Sequence, residues 1–344
     1  MVIERRFALD SYNTFRVPAQ AAGFCVVRTI EEARALLRAP ERNEFPSLYI
    51  LGGGSNVLFT RDIEALAIKI DIRGVSVVEE TDSFVVVECG AGEIWDDFVE
   101  RCVRNGWYGL ENLSLIPGSV GAAPIQNIGA YGAEVQERIA SVQGLRIADG
   151  SAWTLSREEC RFGYRDSVFK REYRHSVITS VTFRLPKSDY AIRTHYGNVQ
   201  EEILRLFPAK EGVTPAEVRA AISSIRRAKL PDPKTLGNAG SFFKNPEISL
   251  ELYSRLASSH PDIPSFHAGE NLVKIPAAWL IERCGWKGKR LSPTSDAAVH
   301  DKQALVLVNH GKATGSEILE LASAVRETVL RHFGITLEIE VQIV

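Results

Sequence analysis

The sequence predicts an α+β chain with more than one domain, and three observations carry that prediction. Apolar strand candidates run straight into glycine clusters, at 47–51 before Gly52 and at 84–89 before Gly90. The stretch 139–185 reads as antiparallel strands, with Asp149-Gly150 as a hairpin turn. Near residue 212 the character changes, and capped helices take over, which places a boundary there. The 344 residues, 45% apolar and 24% charged, suffice for two or three domains of ordinary globular composition.

The elements follow in order. A strand at 24–28 leads into a helix reaching residue 39, with Thr29 as N-cap and Glu32 completing a capping box. A helix over 93–104 ends toward Gly106, which suits a left-handed C-terminal cap. Thr214-Pro215-Ala216-Glu217 joins a capping box to a proline at the first helical position. Val218, Ala221, Ile222 and Ile225 then share one helix face, until Pro231-Asp232-Pro233 breaks the helix. A last long helix over 316–332 ends at Gly334 and feeds a final strand over 335–344. The period of two in that strand sets Leu337 and Val341 against Glu338 and Glu340.

Composition narrows the function. A net charge of −2 implies no broad basic surface for nucleic acid or anionic lipid. Five cysteines, Cys25, Cys89, Cys102, Cys160 and Cys284, lie far apart without a C-x-x-C pair, and the seven histidines lack H-x-H and H-x-x-x-H spacing. Neither a metal site nor a disulfide framework is expected, and a reducing cytoplasm fits. No signal peptide is seen at the N-terminus, and no run approaches the roughly 20 apolar residues of a membrane span.

Two loops are candidates for phosphate. In Gly52-Gly53-Gly54-Ser55-Asn56, side-chain-free backbone lets N–H groups converge on an anion, and Ser55 and Asn56 add donors. A plain tight turn is the other reading of that run. Neither a Walker A loop nor G-x-G-x-x-G is present. The second loop, 116–132, is long, nearly uncharged and rich in small residues, among them Gly118, Ser119, Gly121, Ala122, Asn127, Gly129 and Tyr131. Such a loop suits a large flat ligand better than solvent. Together the two loops suggest a dinucleotide such as FAD, held without a Rossmann turn. A third aperiodic run, 237–246, places Ser241 after a flexible turn.

These motifs, with Asn13-Thr14-Phe15, Tyr164-Arg165-Asp166-Ser167, Lys229-Leu230-Pro231-Asp232-Pro233 and Leu337-Glu338-Ile339-Glu340-Val341, cover essentially the whole chain. In combination they resemble the UDP-N-acetylenolpyruvoylglucosamine reductase (MurB) family. The 124–132 run and Tyr196-Gly197 are similar to the subclass with an extra substrate-covering loop. The resemblance implies an FAD-binding domain of the vanillyl-alcohol-oxidase (PCMH) type plus a smaller α+β substrate-binding domain. It implies an FAD-binding region over 1–212 with a core at about 17–188, a substrate domain over 213–325, and a helix end and strand over 326–344 that return to the active site. The implied reaction is NADPH-dependent reduction of UDP-N-acetylglucosamine enolpyruvate to UDP-N-acetylmuramate, in peptidoglycan precursor synthesis, by a cytoplasmic monomer.

Most of the site residues carry two readings. Arg165 is implied to meet the substrate carboxylate with a two-bonded fork; the alternative is a salt bridge to Asp166. Glu340 is implied to donate to the enolate, which requires it protonated; otherwise it belongs to a solvated strand face. Ser241 is implied to protonate C2, against a turn or cap serine. Tyr196, Lys229 and Asn245 are implied to hold the UDP diphosphate and uridine, with Gln303 nearby. Lys229 also complements a helix dipole, and Tyr196 also reads as a packed loop aromatic. The family commonly has arginine two residues after the glutamate, where this chain has Gln342. Two rival functions stay open from the residues alone: a related flavin oxidase acting on a sugar or hydroxy acid, and a nucleotide-sugar binding protein without catalysis.

Overall fold

The computed structural model describes residues 2–208 and 212–344. Two compact units emerge: one of the residues up to Phe7, Ala21–Gly53 and Glu64–Ala228, the other of Ala8–Gln20, Gly54–Ile63 and Lys229–Val344.

The first unit carries two sheets. One orders Glu4–Ala8, Gln20–Val27, Ile63–Ile70 and Leu48–Leu51, the last two parallel with Leu48 opposite Leu66. The other is antiparallel, in the order Ala152–Ser156, Ile139–Arg146, Ser176–Pro186, Phe84–Gly90 and Val75–Glu80. Val85, Val87 and Cys89 alternate into the core. Ser176–Pro186 is buried along most of its length, as a central strand covered on both faces must be. Helix α1 (Ile30–Arg38) starts at Thr29, whose hydroxyl accepts from the Glu32 amide at 3.0 Å; the Glu32 carboxylate returns to the Arg28 amide, one residue earlier than a capping box requires. Helix α2 (Trp95–Arg104) buries Trp95, Phe98, Val99 and Cys102, a single i, i+3, i+4, i+7 stripe, and is followed by Gly106 at φ +71. Phe98 packs on Phe183 with ring centroids 5.0 Å apart.

Helix α3 (Val199–Leu206) and helix α4 (Pro215–Lys229) form a separate small core of Val199, Ile203, Val218, Ala221, Ile222 and Ile225. Tyr131, Ile192 and Val213 pack against it. That packing holds α4 with the first unit, so the division between units falls at Lys229, one helix later than the boundary expected near 212.

The second unit holds an antiparallel sheet of Gly237–Ser241, Val306–Asn309 and Ala297–Val299, and a smaller one of Glu247–Ser249, Leu272–Lys274 and Phe266–Gly269. Helices α5 (Leu250–Ser259), α6 (Ala277–Arg283) and α7 (Gly315–Phe333) belong to this unit. α7 buries Ile318, Leu321, Ala322, Val325 and Val329; a capping box of Thr314 and Glu317 starts it, and left-handed Gly334 ends it. The expected strand over 335–344 is not continuous. Only Gln342–Ile343 is regular strand, parallel to Val57–Leu58, because the preceding residues turn to pair with a different segment through the Phe243–Ile339 bridge. Leu337 and Val341 are buried and Glu338 is exposed, so the side-chain alternation survives.

Candidate active site

In the first unit the two phosphate-loop candidates touch. A side chain at Gly53 would lie 2.7 Å from Gly118 Cα, and one at Gly52 would lie 3.0 Å from Ser119 Oγ. At position 53 the facing backbone leaves room only for glycine. The second loop is also bound to the start of α2: Trp95 N donates to Gly118 O at 3.0 Å, Ser119 bridges Ile94, and Val120 N donates to Glu93 O at 2.9 Å. Gly121 N donates to Ala91 O at 2.9 Å, and a side chain at Gly121 would strike Ala91 Cβ at 2.5 Å. Val120–Ala122 forms one 3-10 turn. Lys69 Nζ, which the sequence reading did not single out, donates to Gly52 O at 2.6 Å, and burial lowers its pKa. Two facing, small-residue loops edged by a cation fit the diphosphate of a dinucleotide.

Further along the loop, Gly129–Ala130 and Ala133–Glu134 make a hairpin whose turn residues, Tyr131 (φ +49) and Gly132 (φ +76), both lie in the left-handed region that a two-residue hairpin needs. Asn127 (φ +44) is fully buried, and its carboxamide is engaged by the protein itself: Nδ2 donates to Glu134 and Gly163 O, both at 2.9 Å, and Oδ1 accepts from Gln136 N at 3.2 Å. What Asn127 offers outward is its carbonyl, which accepts from Arg165 Nη1 at 3.4 Å, while Gly129 O accepts from Nη2 at 2.6 Å.

Arg165 is therefore tied to the 127–129 backbone. Its own φ is +53, a strained value for arginine. The alternative partner, Asp166, is ion-paired with Arg171 instead. Strain of this kind gathers at functional sites, where the surroundings over-determine it. Tyr196 is 46% exposed and stands edge-on to Tyr131, with centroids 6.3 Å apart and planes at 80°. Burial raises the Tyr131 phenol pKa, although a hydrogen bond from Arg226 opposes the shift.

In the second unit, four stretches distant in sequence are bound together. Thr14 N donates to Gly54 O and Asn238 N to Thr14 O, both at 3.0 Å. Gly54 has φ +65, and a side chain there would lie 1.9 Å from Tyr12 O; one at Gly237 would lie 2.3 Å from Phe15 O. Asn13 braces this segment with Nδ2 bonds to Leu9 O and Val17 O. Asn56 Nδ2 donates to Glu340 O at 3.3 Å, and Gln342 N to Asn56 O at 3.1 Å. Glu340 N donates to Phe242 O at 2.9 Å, which sets the glutamate beside the strand that carries Ser241. Ser241 is exposed and follows Gly240 at φ +69; Glu340 is half-buried. Glu338 is ion-paired with Lys244.

The remaining predicted contacts have mixed settings. Asn245 Oδ1 accepts from the Ala277 amide at 2.9 Å at the start of α6, which fixes its carboxamide. Gln303 lies in the turn between two strands, where Oε1 accepts from Leu305 N at 3.4 Å. Lys229 is exposed at the end of α4. Gln342 is exposed. Among the described residues no cluster of His, Cys, Asp and Glu is arranged to hold a metal, and no helix is long and apolar enough to cross a membrane.

A family model described as an FAD binding domain matches residues 21–156, and one described as the UDP-N-acetylenolpyruvoylglucosamine reductase C-terminal domain matches 232–344. A Flavobacterium johnsoniae UDP-N-acetylenolpyruvoylglucosamine reductase is 45% identical over 348 residues, spanning 100% of both chains. The Chromobacterium violaceum protein of that name is 48% identical, spanning 96% of each. The crystal structure of the Thermus caldophilus enzyme superposes with a TM-score of 0.66 at 25% identity, covering 100% of this chain and 99% of that one.

Fold, loops and relatives thus define an FAD-dependent oxidoreductase with an FAD-binding domain and a smaller α+β domain. The chain belongs to the UDP-N-acetylenolpyruvoylglucosamine reductase family.

Proposed function

We propose that Arg165, Ser241 and Glu340 are the catalytic residues of this enzyme and that Tyr196, Lys229, Asn245 and Gln303 bind its nucleotide-sugar substrate. The reaction is NADPH-dependent reduction of UDP-N-acetylglucosamine enolpyruvate to UDP-N-acetylmuramate. When bound, FAD carries hydride from NADPH to C3 of the enolpyruvyl group. The 52–56 and 117–132 loops would hold it.

Hydride at C3 leaves negative charge at C2, delocalised into the carboxylate. Arg165 stabilises that charge as a permanent cation, and its anchorage on the Asn127 and Gly129 carbonyls makes it preorganised rather than mobile. Glu340, in its protonated form, donates a hydrogen bond to the enolate oxygen. The Ser241 hydroxyl delivers the proton to C2 and is reprotonated from solvent. Lys229 neutralises the diphosphate, and Tyr196 covers it. The observation that most supports this reading is the strained, carbonyl-anchored Arg165. The roles need one chain only, and a monomer in the cytoplasm, where NADPH and nucleotide sugars occur, fits them; a net charge of −2 implies no broad basic surface for nucleic acid.

Product analysis in deuterium oxide tests the proton route. The native enzyme should place solvent deuterium at C2. Protium at C2, or a Glu340→Gln enzyme with full activity at every pH, would contradict the assignments.

A further inference from the structure

Asp96, on the first turn of α2, accepts from the Leu115 amide at 2.6 Å. The same carboxylate takes both arms of the Arg219 guanidinium from α4, Nη1 at 2.6 Å and Nη2 at 3.0 Å. The pair is well covered, with side chains 15% and 21% exposed for Arg219 and Asp96. Leu115 has φ +56, a left-handed conformation that leucine adopts only under constraint. It stands three residues before Gly118, where the loop first meets both Gly53 and the α2 start.

We infer that Asp96 is a positioning residue for FAD: aimed by Arg219, it holds Leu115 in the left-handed turn that directs the 116–122 backbone along the 52–53 glycines. This rests on reading those loops as the FAD phosphate cradle. The physical argument concerns direction. Without an acceptor on its amide, Leu115 relaxes toward extended backbone, and the chain leaves residue 115 on a different heading. The loop downstream then has to give up either its backbone bonds to Glu93, Ile94 and Trp95 or its contact with Gly53. The fork from Arg219 matters because a carboxylate with one partner rotates freely, whereas two parallel bonds fix its plane. Asp96 itself needs no contact with the cofactor.

Flavin fluorescence titration of FAD into the FAD-free enzyme tests this with four proteins: native, Asp96→Ala, Asp96→Ala/Leu115→Gly and Gly53→Val. Asp96→Ala should bind FAD about 10-fold more weakly, or worse, the order expected for a lost charge-assisted hydrogen bond. Glycine adopts the left-handed turn unaided, so the double variant should recover most of the native affinity although the ion pair is still missing. A purely structural role for the pair predicts no such recovery. Native affinity in Asp96→Ala, or no recovery in the double variant, overturns the inference. Should Asp96→Ala not fold, the double variant alone decides, near-native affinity supporting the inference and weak binding contradicting it. Gly53→Val separates the two levels. Weak FAD binding there with native binding in Asp96→Ala removes the role of Asp96 and keeps the cradle; native binding in both removes the cradle itself.

Discussion

The Glu340 amide donates to the Phe242 carbonyl at 2.9 Å, so a glutamate four residues before Val344 lies against the residue that follows Ser241. Two groups 99 positions apart in the chain are thereby set on adjoining backbone of one unit, with Asn56 bonded to the Glu340 carbonyl. The proposed division of labour between an acid at carbon and a donor at oxygen depends on that adjacency.

Ser241→Ala should separate the two halves of the reaction. Reduction by NADPH needs no proton at C2, so flavin bleaching should proceed at the native rate. Recovery of the flavin band on adding substrate should fall by at least about 10²-fold, the lower range for loss of a general acid. Native recovery in stopped flow would assign the proton to another group.

Arg165→Lys keeps the charge and loses the planar fork. Turnover should fall by about 10²–10³-fold, comparable to removing one oxyanion donor, with FAD still bound. A change confined to KM would place Arg165 in ground-state binding instead.

Gly54→Ala should destabilise the enzyme by at least about 1–3 kcal/mol, because the position combines φ +65 with a backbone oxygen only 1.9 Å from the added carbon. Chemical denaturation of the FAD-free protein measures this without reference to activity. An unchanged midpoint would contradict the close approach of the 12–14 and 54–56 segments.

Acid sensitivity should involve Asp96. Burial alone would raise its pKa, but hydrogen bonds from Arg219 and the Leu115 amide outweigh burial and hold it below the ordinary 3.8. A carboxylate with a depressed folded-state pKa stabilises the fold above the unfolded value, and that stability is lost as pH falls through the folded one. Native protein should therefore lose more stability than Asp96→Asn as pH drops below about 4. Parallel acid-unfolding curves would remove the pair from the acid response.

Much of this was legible in the sequence because it rests on local rules. The helix starts at Thr29 and Thr214 follow from side-chain oxygens meeting free amides, and Gly106 and Gly334 mark helix ends through positive φ. The glycine runs were legible as places of close approach, though not what approaches: Gly54 faces Tyr12 and Gly237 faces Phe15, both long-range contacts. The strain at Arg165 and Leu115 left no trace, since neither is a residue type that favours the left-handed region. Asp96 and Arg219 read as ordinary helix-surface charges, because their pairing depends on how α2 and α4 pack. The final strand was over-extended for a related reason: an alternating apolar pattern also fits a segment that switches partners midway.

An anaerobic two-step titration tests the central claim most directly. The FAD-loaded enzyme is first given one equivalent of NADPH and then UDP-N-acetylglucosamine enolpyruvate, with flavin absorbance followed throughout. Bleaching by NADPH followed by rapid recovery with the enolpyruvyl substrate is the predicted result. Bleaching with no recovery would contradict it and would point to a different acceptor for the hydride.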